Sequence, residues 1–305
     1  MARISATLQA DAAASVSQYQ ADARMVDVDG KEIAYWQCGQ GPDVWFLHGF
    51  PSATWDWHHQ WQSLSASFCC HGFDFLGFGL SAKPFPHPYS ILEQADICER
   101  LMAHSGVTQV KLVAHDYGVS VAQELLRRKD QGLLHCDIEQ VIFLNGGLFA
   151  DKHRPLLTQK LLHGPLGWLF ARLMSKRTLK SGFSKIFAPT SPPSNLTIDV
   201  LWYLLQLNHG NRVLPALLQY LDERVAHQQH WLSAMRNVDI PLAFINGVHD
   251  PISGKHMLEA FLERVPGATG IALDAGHYPQ IELPQQVTEH LRRLLAGSNQ
   301  QFKAD

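Results

Sequence analysis

The sequence predicts an α/β fold, in which helices cover both faces of a mostly parallel sheet. Short segments rich in apolar residues, at residues 44–47 and 68–75, are typical of strands that are buried on both faces. Segments with strand and helix character alternate over residues 25–144, which indicates βαβ units. This alternation stops at about residue 147 and resumes at residue 241, which predicts an inserted region between two strands.

The elements before the interruption follow from local patterns. Residues 25–35 alternate in polarity around Asp29-Gly30, a pair that favours a tight hairpin turn. The proline-rich residues 83–88 predict a loop between two regular elements. The other predicted elements of this part are strands at residues 44–47, 68–75, 110–114 and 140–144, and helices at residues 91–104 and 119–128.

The interrupting segment has a different character from the rest. It is rich in Leu and Trp at helical spacing, so it predicts an all-helical cap. After it, the patterns predict strands at residues 241–246 and 270–273 and helices at residues 256–264 and 284–295. The predicted domains are an N-terminal tail or weak helix (1–22), a core (23–146 and 237–298), the helical cap (147–236) and a C-terminal tail (299–305).

Composition limits the classes of partner. The chain has 305 residues and a formal net charge of −3, which provides no electrostatic basis for binding nucleic acid. No segment approaches the ~18–20 apolar residues that a membrane-spanning helix requires. The five cysteines include the adjacent pair Cys69 and Cys70, so we expect no disulfide framework and predict a cytoplasmic protein.

Neither a metal nor an organic cofactor is predicted. The 17 histidines include the pair His58-His59, but no third ligand follows at a fixed spacing. Gly77-x-Gly79-x-x-Ala82 formally fits a dinucleotide-binding fingerprint, which needs a helix directly after the glycines. Prolines at 84, 86 and 88 follow instead, so we do not expect a nucleotide to bind there.

The stretch Ala114-His115-Asp116-Tyr117-Gly118 joins a predicted strand to a predicted helix. Small residues two positions before and after Asp116 permit the close backbone passage of a strained elbow, the turn that presents a nucleophile. Asp116 could instead be only the N-cap of the following helix. The flanking small residues favour the elbow, so we predict that Asp116 is a nucleophile.

Other predicted turns carry the partners that such a nucleophile needs. Asp250 and His277 follow later strands, which gives the order nucleophile, acid, histidine. Asp274 is an alternative acid, but its position three residues before His277 predicts that it lies at a strand end. Earlier, His48-Gly49-Phe50-Pro51 ends a strand, and backbone N–H groups near Phe50 are predicted to face the elbow.

These motifs resemble the epoxide hydrolase and haloalkane dehalogenase group of α/β-hydrolases. The matching motifs are His-Gly-x-Pro at residues 48–51, small-x-Asp-x-small at 114–118 and Gly-x-small-x-Ser at 77–81. Over residues 25–297 the chain is similar to the mesoderm-specific transcript subfamily, through Asp74-Phe-Leu-Gly-Phe-Gly, His115-Asp-Tyr-Gly, Ala122-Gln-Glu-Leu-Leu, Asn145-Gly-Gly and His153-Arg-Pro-Leu-Leu. The resemblance implies an eight-stranded sheet and an inserted cap.

An aspartate at the elbow implies a particular chemistry. Asp116 would attack a saturated carbon and form an alkyl ester on the enzyme, since it brings its own acyl group. His277, oriented by Asp250, would then activate the water that hydrolyses this ester. The backbone N–H groups of Phe50 and Tyr117 would stabilise the oxyanion that forms on Asp116.

The resemblance also bears on the leaving group. Haloalkane dehalogenases commonly bind halide through a Trp directly after the nucleophile, where this chain has Tyr117. Epoxide hydrolases donate a proton from cap tyrosines; Tyr220 matches one such position, and Tyr203 is a candidate for a second. Phe50 and Trp202 are predicted to contact substrate.

We therefore predict an epoxide hydrolase, monomeric or homodimeric, for a small apolar substrate. The alternatives are a haloalkane dehalogenase-like hydrolase and a non-catalytic binding protein.

Overall fold

The computed structural model describes residues 10–297 and is built around one sheet. Eight strands lie in the order β1-β2-β4-β3-β5-β6-β7-β8. The strands are β1 (Arg24–Val28), β2 (Lys31–Cys38), β3 (Asp43–Leu47), β4 (Cys69–Phe73), β5 (Gln109–His115), β6 (Asp137–Leu144), β7 (Leu242–Gly247) and β8 (Thr269–Leu273).

Strand pairing confirms the predicted α/β-hydrolase fold with a mostly parallel eight-stranded sheet. The pairs β1·β2 and β2·β4 are antiparallel, and all other neighbouring pairs are parallel. The hairpin between β1 and β2 turns at Asp29 and Gly30, whose φ angles of 53° and 76° are those of a tight hairpin turn. Successive residues of β3 pack on opposite faces, with Trp45 in one apolar cluster and Phe46 in the other. The sheet is therefore buried on both sides.

Helices cover both faces of the sheet. Those of the core are α1 (Ala10–Asp22), α2 (His58–Leu64), α3 (Ile91–His104), α4 (Tyr117–Asp130), α11 (Lys255–Arg264), α12 (Pro279–Glu282) and α13 (Pro284–Ala296). The segment between β6 and β7 contains α5 (Leu157–His163), α6 (Gly167–Leu173), α7 (Lys176–Phe183), α8 (Asn195–Gln206), α9 (Leu214–Leu217) and α10 (Tyr220–Asn237). Within residues 10–297, no helix combines the length and apolar character needed to cross a membrane.

Of the two predicted alternatives for the N-terminal region, a tail or a weak helix, the described part, Ala10–Asp22, is a helix. Its residues Ala12, Val16 and Tyr19 are buried, at the four- and three-residue spacing of one helical face. The Tyr19 hydroxyl donates to Asp74 Oδ1 at 2.6 Å. The alanine-rich sequence lacks a strong apolar stripe, so it only weakly predicts that this helix packs on the core. The helix is stabilised mainly by these tertiary contacts, because a short isolated helix is only marginally stable in water. The predicted C-terminal tail, residues 299–305, lies outside the described residues.

The formal dinucleotide fingerprint lies in a loop. Gly77 and Gly79 both have positive φ angles, and the next helix begins only at Ile91. The Asp74 carboxylate occupies the space beside Gly79, since a Cβ on this glycine would lie 1.9 Å from Asp74 Oδ2. The helix N-terminus that would receive a pyrophosphate is therefore absent between residues 79 and 90.

Candidate active site

Asp116 occupies a strained turn between β5 and α4. Its φ of 44° and ψ of −99° lie outside the regions that L-residues ordinarily adopt. The Asp116 N–H donates to the Asn145 carbonyl at 2.8 Å, and the Gly118 N–H donates to the His48 carbonyl at 3.0 Å. A Cβ on Gly118 would lie 2.6 Å from the Leu47 carbonyl oxygen, so only glycine permits this close approach. The turn thus holds the Asp116 carboxylate at the carboxyl edge of the sheet.

Asp116, His277 and Asp250 meet at this edge. His277 Nδ1 lies 2.7 Å from Asp250 Oδ2, and His277 Nε2 lies 3.9 Å from Asp116 Oδ2. All three side chains are buried. Asp274, the alternative acid, is exposed and lies 2.5 Å from His249 Nε2. The structure therefore brings together the three predicted residues and leaves Asp274 outside the group.

Electrostatic interactions within this group keep Asp116 ionised. Burial acts to raise the pKa of Asp116, but the nearby charges of His277 and Arg224 hold it below its usual value. Burial acts to lower the pKa of His277, but the charge and hydrogen bond of Asp250 and the charge of Asp116 raise it to about 10. His277 is therefore protonated while both carboxylates face it.

Asp250 is held by several donors that the sequence analysis does not identify. Its Oδ2 accepts hydrogen bonds from Asn145 Nδ2 at 3.1 Å and from Ser253 Oγ at 2.6 Å. Its Oδ1 accepts from the Ile252 N–H at 2.8 Å. Asn145 belongs to Asn145-Gly-Gly, one of the segments that carry the family resemblance. That resemblance is the only feature of the sequence that points to Asn145. These contacts fix the carboxylate that orients His277.

A backbone N–H group points at the Asp116 carboxylate. The Phe50 N–H donates to Asp116 Oδ2 at 3.0 Å. The Phe50 carbonyl accepts from the Tyr278 hydroxyl at 3.2 Å, which secures the loop after β3. Tyr117 is the first residue of α4, so its N–H has no carbonyl partner within the helix. Both predicted donors thus lie next to Asp116, and the Phe50 contact is already made.

Arg224 on α10 is a part of the site that the sequence analysis misses. This side chain is 2% exposed, and its Nη2 donates to the Asp116 carbonyl at 2.8 Å. The same nitrogen lies 3.7 Å from Asp116 Oδ1, and Nε donates to Ser120 Oγ at 2.7 Å. An arginine in a helix with a mixed polar pattern gives no sequence signal for burial. Its charge nevertheless helps to keep Asp116 ionised.

Arg224 also lines a small recess that is separate from the cavity beside His277. The recess has a volume of about 260 Å³ and is lined in part by His153, Lys160 and His163. Within residues 10–297, Arg224 Nη1 and both ring nitrogens of His153 have no hydrogen-bond partner. Polar atoms of this kind are ordinarily satisfied by water, so the recess is suited to ordered solvent.

Tyr220 packs beside the elbow that carries Asp116. It is fully buried, and its ring centroid is 5.1 Å from that of Tyr117. The Tyr220 hydroxyl accepts a hydrogen bond from Gln159 Nε2 at 3.4 Å, while Gln159 Oε1 accepts from the Leu156 N–H at 2.9 Å. Because Gln159 presents its donor, the phenol proton of Tyr220 is directed elsewhere. Burial first, and then the Asp116 charge, raise the pKa of Tyr220, so it is protonated at neutral pH.

Two predicted residues of the cap are not brought to the site. Tyr203 is half-buried on α8, and its hydroxyl accepts a hydrogen bond from Gln20 on α1 at 3.3 Å. Trp202, its neighbour, is also half-buried and does not line the cavity beside Asp116. The correction has a physical reason, since α8 packs against α1. The position of α1 could not be read from the sequence.

A small apolar cavity lies between the three central residues and the inserted helices. Its volume is about 80 Å³, and Phe50, Asp116 and His277 are among its lining residues. The other lining residues include Leu156, Gln159, Leu162, Met174, Leu179, Phe183, Leu214 and Ile252. A larger open groove of about 700 Å³ lies near Tyr19 and Trp55. Asp116 and His277 line the smaller cavity and not the groove.

One cluster of metal-ligating side chains lies at the opposite end of the sheet. Atoms of Asp43, Cys69 and His71 lie within 4.8 Å of one another. His71 Nε2 is 2.7 Å from Asp43 Oδ1, and its Nδ1 is 2.6 Å from the Tyr35 hydroxyl. Since both ring nitrogens have protein partners, the cluster is explained as a polar network rather than as a metal site.

Comparison with known proteins agrees with this fold. The α/β-hydrolase fold family matches residues 42–136. LipZ of Mycobacterium tuberculosis, which carries a provisional hydrolase name, is 40% identical over 84% of this chain and 89% of its own length. The human mesoderm-specific transcript homologue is 41% identical over 79% of this chain and 75% of its own length. The chain belongs to the α/β-hydrolase family, in the group that contains these two relatives.

Solved structures with this fold include enzymes of two activities. The epoxide hydrolase CorEH matches with a TM-score of 0.74 and 20% identity, over 90% of this chain and 98% of its own. The haloalkane dehalogenase DatA of Agrobacterium tumefaciens matches with a TM-score of 0.77 and 20% identity, over 90% of this chain and 96% of its own. At this level of identity the likeness concerns the fold alone. The chemistry has to be argued from the site.

Proposed function

We propose that the protein is a hydrolase that forms an alkyl ester on Asp116, and that its substrate is an apolar epoxide. The observation that carries the proposal is the carboxylate at the elbow. It is ionised, it accepts a hydrogen bond from the Phe50 N–H at 3.0 Å, and it borders an apolar cavity. A carboxylate in this position attacks carbon and afterwards presents its own carbonyl to the same N–H donor.

In the first step, the free oxygen of Asp116 attacks a ring carbon of the epoxide. The carbon–oxygen bond of the ring breaks, and its electron pair passes to the ring oxygen. That oxygen needs a proton or a strong hydrogen bond, and the Tyr220 phenol supplies it. The contact from Gln159 supports this role, because it occupies a lone pair of the hydroxyl and leaves the proton available.

In the second step, His277 acts as the base. Esterification removes the negative charge of Asp116, which is one of the causes of the raised pKa of His277. The pKa of His277 therefore falls after alkylation, and the neutral ring can accept a proton from water. The resulting hydroxide adds to the carbonyl carbon of the ester. The oxyanion is stabilised by the N–H groups of Phe50 and Tyr117. When the ester bond breaks, the departing alkoxide takes the proton held by His277 and leaves as the diol, and the new carboxyl of Asp116 ionises by giving its proton to His277. Tyr220 regains from solvent the proton that it gave in the first step.

A haloalkane dehalogenase is the second candidate, because Arg224 Nη1 is a cationic donor without a partner among residues 10–297. An anionic leaving group could bind such a donor. This guanidinium, however, faces the recess beside His153. Neither Arg224 nor Tyr220 lines the apolar cavity itself, but the Tyr220 hydroxyl is hydrogen-bonded to Gln159, which does line it. Epoxide hydrolysis is therefore preferred over dehalogenation as the proposed activity. Measuring halide release from haloalkanes tests dehalogenation directly.

The proposal is tested by one turnover in ¹⁸O-labelled water, with enzyme in excess over an aryl epoxide. If Asp116 is alkylated, the first diol carries no label, and the peptide that contains Asp116 gains one ¹⁸O atom. Asp116→Asn is the control and should form no ester. Label in the first diol, with none in this peptide, would mean that water attacks the epoxide directly and that the proposal is wrong.

A further inference from the structure

Helices α5 and α6 expose an unusual concentration of apolar side chains. Six of the eleven exposed large apolar residues in the described chain lie within residues 157–173. The six are Leu157, Leu161, Leu166, Trp168, Phe170 and Leu173. Leu157 is 70% exposed, Leu173 is 68% exposed and Trp168 is 60% exposed. Concentrated exposure of this kind marks an interaction surface.

The exposed side chains follow helical spacing. In α6, Gly167 and Ala171 are buried, while Phe170 and Leu173, three residues apart, are exposed. In α5, Leu157 and Leu161 are exposed four residues apart, and Leu162 is buried. The two helices pack against each other. Each helix is thus apolar on its outer face as well as on its inner one.

The same region is strongly cationic. Residues 152–198 contain eight Lys or Arg residues and no Asp or Glu, in a chain whose net charge is −3. The eight are Lys152, Arg154, Lys160, Arg172, Lys176, Arg177, Lys180 and Lys185. Acids outside the segment contact it at a few places among the described residues: Lys176 pairs with Asp199, His163 lies 2.9 Å from Asp222, and Glu282 accepts from the Ala188 N–H and the Ser191 hydroxyl. The segment therefore carries far more positive than negative charge, including that of the basic side chains of α6 and α7.

This surface is continuous with the candidate active site. Leu162 on α5 and Leu179 on α7 line the cavity that holds Asp116. A groove of about 570 Å³ borders Trp168 and is lined by Arg172, His209 and Arg212. The helices that cover the reactive groups therefore also carry the apolar side chains and the positive charge.

We propose that the exposed face of α5–α7, residues 157–185, docks on the surface of an anionic phospholipid bilayer. Leu, Trp and Phe side chains would enter the boundary between headgroups and acyl chains, and the Lys and Arg side chains would contact anionic headgroups. A second copy of the chain fits less well, because a symmetric contact would bring two cationic faces together. Docking here places the apolar cavity next to lipid. This inference goes beyond the proposed chemistry and does not depend on it.

The test is flotation of the full chain with two kinds of vesicle. One contains phosphatidylcholine alone, and the other contains phosphatidylcholine with about one third phosphatidylglycerol, an anionic lipid. We expect binding to the anionic vesicles, loss of binding as salt is raised, and at least about tenfold weaker binding to the neutral vesicles. Trp168→Ser with Leu173→Ser should reduce binding by about tenfold, and so should Arg177→Glu with Lys180→Glu. None of these residues lines the cavity.

Matched controls separate this surface from general effects. Leu133→Ser with Leu262→Ser removes exposed apolar side chains elsewhere, and Lys255→Glu with Arg293→Glu reverses charge elsewhere. Binding by both control proteins should stay within about twofold of the unchanged protein. Equal loss in the controls, or no preference for anionic vesicles, would overturn the proposal. Light scattering checks for a dimer. If the unchanged protein is a dimer that does not bind vesicles, and Trp168→Ser with Leu173→Ser dissociates it, the surface binds a second copy of the chain instead. Turnover of a soluble epoxide, measured without vesicles, reports on the chemistry separately.

Discussion

His277 contacts the two carboxylates of the site unequally. Its Nδ1 is hydrogen-bonded to Asp250 at 2.7 Å, whereas its Nε2 is 3.9 Å from Asp116. The longer separation leaves Asp116 free to attack a substrate without transferring a proton. Nε2 therefore makes no direct hydrogen bond to Asp116, and it can receive a proton from water once alkylation has lowered the pKa of His277. The two steps of the proposed reaction should therefore respond differently to changes at His277.

His277→Gln should trap the alkyl-enzyme. Attack by Asp116 needs no base, while hydrolysis of the ester does, so the second step should slow by about 100-fold or more. Mass spectrometry of the digested protein after exposure to an aryl epoxide should locate the added mass on the peptide that contains Asp116. An adduct on another peptide would contradict the assignment of the nucleophile.

The two steps should have different pH dependences. Because the pKa of Asp116 is below its usual value, alkylation should be independent of pH from about 6 to 8. Ester hydrolysis needs neutral His277, so its rate should rise with pH and level off above the pKa of His277 in the alkyl-enzyme. That pKa should lie below the value of about 10 in the free enzyme, because the Asp116 charge is gone. Rapid-quench measurement of each step checks this, and hydrolysis that accelerates on acidification would exclude His277 as the base.

Tyr220→Phe should slow alkylation by an epoxide about 100-fold while preserving the fold, because it removes only the hydroxyl of the proton donor. Tyr203→Phe is the matched control, since the Tyr203 hydroxyl contacts Gln20 instead. Its alkylation rate should be unchanged. Rapid-quench rates for the two variants provide the comparison. If both variants react as fast as the unchanged protein, the ring oxygen takes its proton from another group.

Arg224→Met should affect both stability and ionisation. It removes the buried guanidinium beside Asp116, which should destabilise the fold by about 3–5 kcal/mol. It should also raise the pKa of Asp116, so the alkylation rate would begin to fall at a higher pH on the acidic side. Thermal unfolding and the pH profile of alkylation measure these effects. Arg236→Met, an exposed position on the same helix, should change neither.

Gly118→Ala should damage the elbow. The added Cβ would lie 2.6 Å from the Leu47 carbonyl oxygen and 2.8 Å from the His48 carbonyl oxygen, both of them backbone atoms. We expect a loss of about 1–3 kcal/mol in the free energy of unfolding, or failure to fold. Gly182→Ala in α7 is the control, because nothing lies within 4 Å of its added Cβ. Denaturant unfolding of both variants should separate them clearly.

Local sequence determined the class of the fold and the identity of the elbow. Strand and helix periodicities report which face of each element is buried, and they are properties of a few neighbouring residues. The strained turn at Asp116 is likewise encoded locally, by the small residues at 114 and 118. For this reason the alternating elements, the parallel sheet and the elbow could be predicted. The apolar pattern of α1 is weak, so the burial of one face of this helix could not be predicted from its sequence.

Tertiary structure decided which side chains meet across the chain. Asp250 rather than Asp274 contacts His277, because β7 and β8 place the loops that follow them side by side at the carboxyl edge. Arg224 reaches Asp116 over a separation of 108 residues, and its burial contradicts the expectation for a charged residue. Tyr220 faces the site and Tyr203 faces α1 because of how α8 and α10 pack, which their own sequences do not specify. Contacts between distant segments depend on the shape of the whole assembled core, whereas periodicity records only the environment of one element.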